Sequence, residues 1–259
     1  MPEITVGQYN LVYNAISFTI AVMGAATIFS FLGRSQVAPA YKTALTLTGL
    51  VTLIACYHYI RIFNSWDTAY TLLNGKITST GAPFNDAYRY VDWLLTVPLL
   101  LVELILVMRL PRAETVSKGF KLGGLAAIMV ILGYPGEIAA DLGTRWLWWA
   151  LAMIPFIIIV YELFVGLKAS IAAQPPEVRG LVNGARWLTV VSWCFYPIVF
   201  VFPMIGFSGG SAIAGVQVGY TVADIVAKAV LSVLIYLIAV GKSQAEHPEM
   251  VNLQARSAA

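Results

Sequence analysis

The sequence predicts an all-α membrane protein: a single bundle of seven transmembrane helices, N-terminus outside and C-terminus in the cytoplasm. Three observations predict it. Of the 259 residues, 59% are hydrophobic and only 11% charged, and the mean hydropathy is +0.78. A soluble domain carries about 25% charged and roughly 45–50% apolar residues. Seven apolar runs reach about 20 residues, enough to cross roughly 30 Å of hydrocarbon. Finally, the basic residues crowd one side of those runs.

The spans run over approximately 11–32, 41–63, 87–108, 120–140, 145–167, 181–205 and 213–240. The first is too long for a signal-peptide core and has no basic residue before it, so it reads as a retained span. Turn chemistry separates the runs: Gly33-Arg34-Ser35-Gln36, Arg109-Leu110-Pro111-Arg112, Gln174-Pro175-Pro176-Glu177 and Ser208-Gly209-Gly210-Ser211. In the longest link, Asn64 to Asn85, Asn74-Gly75 between apolar flanks predicts a β-hairpin. One side collects Arg34, Lys42, Arg109, Arg112, Lys118, Lys121, Lys168, Arg179, Arg186 and Lys242; the other has Arg61, Lys76 and Arg145. The basic side is cytoplasmic by the positive-inside rule, and residues 243–259 form a polar tail there, His247 included.

Other classes fail on composition. Two cysteines far apart, Cys56 and Cys194, make no disulfide scaffold and read as small packing residues. A net charge of +3 without a clustered basic, polar stretch excludes a nucleic-acid partner. The partner composition demands is the lipid bilayer.

Within the spans stand groups that a bilayer disfavours: His58, Arg89, Asp92, Glu103, Asp224 and Lys228. Asp92, Thr96 and Glu103 are spaced by four and then seven residues, which at 100° per residue brings them near one helical face. The rise from Asp92 to Glu103 is about 16 Å, so one carboxyl lies near mid-membrane and the other toward the cytoplasm. That is the geometry of a proton relay. Asp224 and Lys228, four apart, share a face. Such a lysine is either a permanent ion-pair partner or a Schiff-base site, and spacing alone leaves both open.

The strings around these residues carry a family resemblance. The segment Arg89-Tyr90-Val91-Asp92-Trp93-Leu94-Leu95-Thr96, continuing to Glu103, resembles the third helix of microbial rhodopsins. Trp193-Cys194-Phe195-Tyr196-Pro197 resembles their sixth helix, and Asp224-Ile225-Val226-Ala227-Lys228 their retinal-attachment segment. The Asp-Thr-Glu set and His58 are similar to the proteorhodopsin and xanthorhodopsin-like proton pumps. Gly133-Tyr134-Pro135-Gly136-Glu137, Gly143-Thr144-Arg145-Trp146-Leu147-Trp148 and Gln217-Val218-Gly219-Tyr220 resemble the xanthorhodopsin and Gloeobacter-rhodopsin group.

The resemblance implies a light-driven ion transporter of the plasma membrane rather than an enzyme. It also implies roles. Lys228 would hold all-trans retinal as a protonated Schiff base. Asp92 would be the counter-ion and proton acceptor, Asp224 the second counter-ion, and Glu103 the cytoplasmic donor. His58 would hydrogen-bond Asp92, and Arg89 would gate the outward path. Trp93, Trp149, Trp193, Tyr196, Pro197 and Phe200 would line the retinal pocket. Leu100 would take the colour-tuning position, where leucine goes with green absorption. Similar proteins form trimers or pentamers, so a homo-oligomer is expected.

Two departures qualify the resemblance. Carotenoid-using relatives have glycine after Trp-Leu-Trp, where this chain has Trp149, so a filled window and no antenna carotenoid are expected. The stretch Pro203 to Gly219 holds no carboxylate, so the paired-glutamate release group of archaeal pumps is missing and late proton release is expected. Glu137 and Asp141 read as interfacial hydrogen-bond partners. The rival function is a sensory photoreceptor signalling through a transducer. Retention of both Asp92 and Glu103 favours the pump over it.

Overall fold

The computed structural model describes residues 1–85 and 87–247. Helix α1 (Val6–Gly33) opens on a capping box: Thr5 Oγ1 accepts from the Gln8 amide, and the Gln8 side chain accepts from the Thr5 amide. Next come α2 (Lys42–Ala69), strands β1 (Tyr70–Leu73) and β2 (Lys76–Ser79), α3 (Ala87–Met108) and α4 (Arg112–Ile138). Helix α5 (Leu142–Tyr161) runs into a wide turn, Glu162–Gly166, and a short helix α6 (Lys168–Ala172) follows. After α7 (Pro176–Val201), the last span comprises α8 (Gly209–Asp224), a wide π turn Ile225–Val230, and α9 (Leu231–Glu246). Seven of these helical stretches are long and apolar enough to cross a membrane. The chain is an integral membrane protein, with seven such spans among the described residues.

The helices pack in sequence order around a ring that closes where α1 meets α8. Helices α4 and α5 turn most of their surface outward, as apolar elements facing lipid do, while α3 is the most enclosed of the first six spans. The buried faces of α3, α7 and α8–α9 therefore line the middle of the bundle, where the intramembrane charges lie.

The hairpin forms where Asn-Gly predicts it. Asn74 (φ 51°) and Gly75 (φ 76°) supply the two left-handed residues of a tight turn, and Tyr70 pairs with Ser79. Ile77 and Tyr70 pack with Trp66 into an apolar cluster that covers this end of the bundle.

At the opposite end, Lys242 is buried. Its Nζ donates to the carbonyl oxygens of Met108 (2.8 Å) and Val107 (3.3 Å) and to Gln174 Oε1 (2.8 Å). It thereby satisfies the orphan carbonyls at the C-terminus of α3. Glu246 accepts from Tyr41 Oη (2.5 Å) and Arg109 (3.0 Å) beside it.

Several helices outrun the apolar stretches that predict them. Helix α1 begins at Val6, α2 continues to Ala69, α4 starts at Arg112 and ends at Ile138, and α5 starts at Leu142. Hydropathy marks only the segment that needs lipid; caps decide where the helix ends. The Asp141 carboxylate caps α5 by accepting from the Thr144 amide at 2.8 Å, and this bond holds its pKa below the ordinary value. Residues 243–246 of the expected tail are helical, while 248–259 lie outside the described residues.

Candidate functional site

Lys228 is the centre of the site. It sits in the wide turn between α8 and α9, almost fully buried, where the π geometry interrupts the regular ladder. Its Nζ lies 2.5 Å from Asp92 Oδ2 and 2.9 Å from Asp224 Oδ1. A buried ammonium without anions would be prohibitively costly, and two carboxylates from different helices flank this one.

The two carboxylates differ in their surroundings. Asp224 is surrounded by donors: Tyr59 Oη reaches Oδ2 at 2.7 Å, Tyr196 Oη reaches Oδ1 at 2.6 Å, and Trp93 Nε1 reaches Oδ1 at 3.1 Å. Asp92 Oδ1 has no hydrogen-bond partner among the described residues. Arg89 stands behind this pair. Its Nη1 donates to Tyr59 Oη (3.0 Å) and lies 3.8 Å from Asp224 Oδ2, while its Nη2 donates to Gln217 Oε1 (2.8 Å).

His58 corrects one expectation. It points toward Asp92, but its Nδ1 is 4.0 Å from Oδ1, too far for a hydrogen bond. Nδ1 instead lies 2.9 Å from the Ile54 carbonyl, one turn back on its own helix, and a carbonyl can only accept. Thr96 is buried below Asp92 and bonds its backbone carbonyl at 2.8 Å, not its carboxylate.

Glu103 is fully buried nearer the Lys242 end, and neither of its oxygens makes a hydrogen bond with any described residue. Its polar neighbour Thr48 donates to the Ala44 carbonyl.

Beside the lysine cluster lies an apolar cavity of about 100 Å³. Trp93, Trp149, Trp193, Tyr196, Pro197 and Phe200 all line it, joined by Tyr90, Met129, Gly133 and Tyr220. Trp93 and Tyr196 belong both to this wall and to the donor set of Asp224, so one layer of side chains joins the cavity to the lysine's anions. The Trp149 indole is held across the wall by a 3.1 Å bond to the Pro197 carbonyl. Leu100 is buried one turn beyond Thr96 and is not among the lining residues, because seven residues of helix carry it about 10 Å past Trp93. Glu137 accepts from Tyr90 Oη at 3.2 Å at the α4 wall.

The comparisons agree with this geometry. A sequence model of bacteriorhodopsin-like proteins matches residues 12–242. The chain belongs to the bacteriorhodopsin-like family. Within this family of microbial rhodopsins it is similar to the green-light absorbing proteorhodopsin of Gamma-proteobacterium EBAC31A08. The two are 31% identical over 236 residues, covering 89% of this chain and 88% of the relative. The blue-light absorbing proteorhodopsin of Gamma-proteobacterium Hot 75m4 is 32% identical, with 88% and 86% covered. Among solved structures, xanthorhodopsin, described as a light-driven ion pump with dual chromophore, superposes with a TM-score of 0.91. It is 51% identical, with 95% of this chain and 98% of that one covered. Thermophilic rhodopsin gives 0.92 at 46% identity, covering 95% and 99%. The chain is thus a microbial rhodopsin of the proteorhodopsin and xanthorhodopsin kind.

Two residues of the site escape a reading of the sequence. Tyr59 and Gln217 are uncharged residues in apolar helices, and nothing in their spacing separates them from packing. Their signals are indirect: Tyr59 follows His58, and Gln217 opens one of the family-like strings and lies seven residues, two turns, before Asp224.

Proposed function

We propose that this protein binds retinal at Lys228 and uses light to carry protons outward across the plasma membrane. The observation that carries the reading is a buried lysine held between two carboxylates beside an apolar cavity, with the buried carboxyl of Glu103 further along α3. The residues present fit retinal: the cavity walls are aromatic and aliphatic, and the amine a carbonyl would condense with lies 2.9 Å from Asp224, which the wall residues Trp93 and Tyr196 bond. When bound, retinal supplies a light-driven change of shape that alters the proton affinity of the Lys228 nitrogen.

The chain's own groups do the rest. Asp92 accepts the proton leaving Nζ, because its Oδ1 is open while Asp224 is saturated with donors. Asp224 stays anionic, held by its Tyr59, Tyr196 and Trp93 donors and by the Arg89 guanidinium 3.8 Å away. Glu103, unpartnered in an apolar setting, is carried neutral and can return a proton to Nζ from its own side. Acceptor and donor lie about 16 Å apart along α3, Asp92 against the lysine and Glu103 toward the Lys242 end, which gives the transfer its direction. The basic residues near the α3 C-terminus make the Glu103 end cytoplasmic, so the transfer runs outward.

Trp149 stands in the cavity wall, fixed to Pro197, and supports a single-chromophore pigment. Glu103 favours pumping over sensory signalling, which has no need of a fast donor.

The experiment is direct. Cells expressing the protein with retinal are illuminated in unbuffered medium while external pH is followed. The expected result is acidification abolished by an uncoupler; a visible pigment without any pH change would exclude the pump and leave the sensor.

A further inference from the structure

Gln217 is buried to 2% exposure and lies two turns before Asp224 on the same helical face, about 10 Å toward the hairpin end. Its Oε1 accepts from Arg89 Nη2 at 2.8 Å. The other terminal nitrogen, Nη1, donates to Tyr59 Oη at 3.0 Å, and that hydroxyl donates onward to Asp224. The guanidinium is also flanked by the Tyr59 and Tyr220 rings, at 5.4 and 5.5 Å. Arg89 is therefore stretched between Tyr59 and Gln217, and it stops 3.8 Å from Asp224 Oδ2, short of a direct bond.

From this geometry we propose that Gln217 is a positioning residue: it holds Arg89 off the Asp224–Lys228–Asp92 cluster, and so sets how strongly the two carboxylates act on the Lys228 nitrogen. Without its oxygen, Nη2 lacks this anchor, and Asp224 Oδ2 is an anionic acceptor close at hand. A charge-assisted bond to it is stronger than one to an amide. An amide is also the right chemistry for the task, since it accepts from the guanidinium without neutralising it, as a carboxylate would.

The inference rests on the retinal-binding reading, and its test uses the full-length pigment with two readouts. In Gln217→Leu, Arg89 closes onto Asp224 and weakens the anionic field at the lysine. The absorption maximum should move to the red by several nanometres. Proton release in a single turnover, followed with a pH-indicating dye, should slow about tenfold, the size of effect one lost positioning hydrogen bond has on a barrier. In Gln217→Glu, Arg89 is drawn outward by an anion and the maximum should move to the blue. Gln217→Asn, one methylene shorter, should fall between wild type and the leucine variant. Opposite shifts in the Leu and Glu variants support the proposal. Wild-type maxima and release times in both overturn it, as does failure of all three variants to form pigment, which would make Gln217 a purely structural residue. If wild-type pigment forms but moves no protons, the pump reading fails while the spectral shifts still decide the role of Gln217.

Discussion

Asp92 holds Lys228 through one oxygen only: Oδ2 lies 2.5 Å from Nζ, and Oδ1 makes no hydrogen bond with any described residue. Asp224, on the other side of the same ammonium, has both oxygens bonded by Tyr59, Tyr196 and Trp93. Two carboxylates at similar distance from one cation are thus chemically unequal. A proton arriving at Asp92 finds an open lone pair, while one arriving at Asp224 must displace a donor already in place.

That inequality predicts different phenotypes for the same substitution. Asp92→Asn should form pigment, absorb further to the red because one counter-ion is gone, and acidify the medium no more than an empty-vector control. Asp224→Asn should instead lower the yield of folded pigment. It leaves the Tyr59 and Tyr196 hydroxyls facing an amide and half of a buried ion cluster uncompensated, a loss of about 3–5 kcal/mol. Comparing spectra and the rates of thermal bleaching of the two variants checks both halves.

Lys228→Ala removes the only amine that the site offers among the described residues, so no pigment should form on adding retinal, whatever its concentration. The apoprotein would also bury Asp92 and Asp224 together without their cation. A second variant, Lys228→Arg, keeps a positive charge but not a condensable amine, and should restore expression without restoring colour. A visible band in either variant would place the attachment elsewhere.

Tyr196→Phe deletes one hydroxyl and leaves the ring in the cavity wall. The lost bond is to a buried carboxylate, and such bonds contribute about 1.5–3 kcal/mol. The expected outcome is a pigment that forms but bleaches faster on heating. Tyr59→Phe should bleach faster as well and shift the absorption more, because its hydroxyl also joins Arg89 to Asp224.

What could be read from the chain, and what could not, divides along physical lines. Charged residues in apolar helices are conspicuous, because the bilayer makes each one costly. Asp92 and Glu103 share the buried face of α3 as their spacing predicts, and the Asn74-Gly75 hairpin follows from the left-handed backbone those residues tolerate. Tyr59 and Gln217 are hidden because polar but neutral side chains are also ordinary packing. His58 illustrates another limit: the resemblance implies a bond to Asp92, but its Nδ1 is taken by the Ile54 carbonyl of its own helix. The wide turn at Lys228 escapes any reading at 100° per residue, since it departs from that period. Lys242 reads as a surface charge and is in fact a buried cap on α3.

The Trp149 wall predicts how the protein treats a carotenoid. Its indole lines the cavity between α5 and α7 and is tied to the Pro197 carbonyl, so a flat ring approaching from the lipid meets an aromatic face and not the cavity. The excitation spectrum of pumping, measured with a carotenoid added, should follow the retinal band alone. Trp149→Phe should keep that result while losing the 3.1 Å bond. Trp149→Gly should open the wall and bring carotenoid-sensitised pumping, at a stability cost approaching the ~3–5 kcal/mol of removing a large aromatic side chain. Sensitised pumping in the wild type would mean that the antenna docks without needing the window.

Glu103 carries the last prediction. It is fully buried, makes no hydrogen bond with any described residue through either oxygen, and lies on the α3 face that carries Asp92. An unpartnered carboxyl in such a place is held neutral by the cost of burying its charge, and is therefore loaded before it is needed. Glu103→Gln keeps the shape and removes the transferable proton. Pigment colour and the first proton transfer to Asp92 should be unchanged, because both are decided at the Lys228 end. Return of the proton to Lys228 should slow by roughly 10²–10⁴-fold, the range a positioned acid contributes. Flash spectroscopy follows the decay of the deprotonated pigment directly, and in the variant, but not in wild type, that decay should quicken when a small permeant weak acid is supplied. A decay as fast as wild type without any added acid would take the donor role from Glu103 and assign reprotonation to water entering from the α3 C-terminal end.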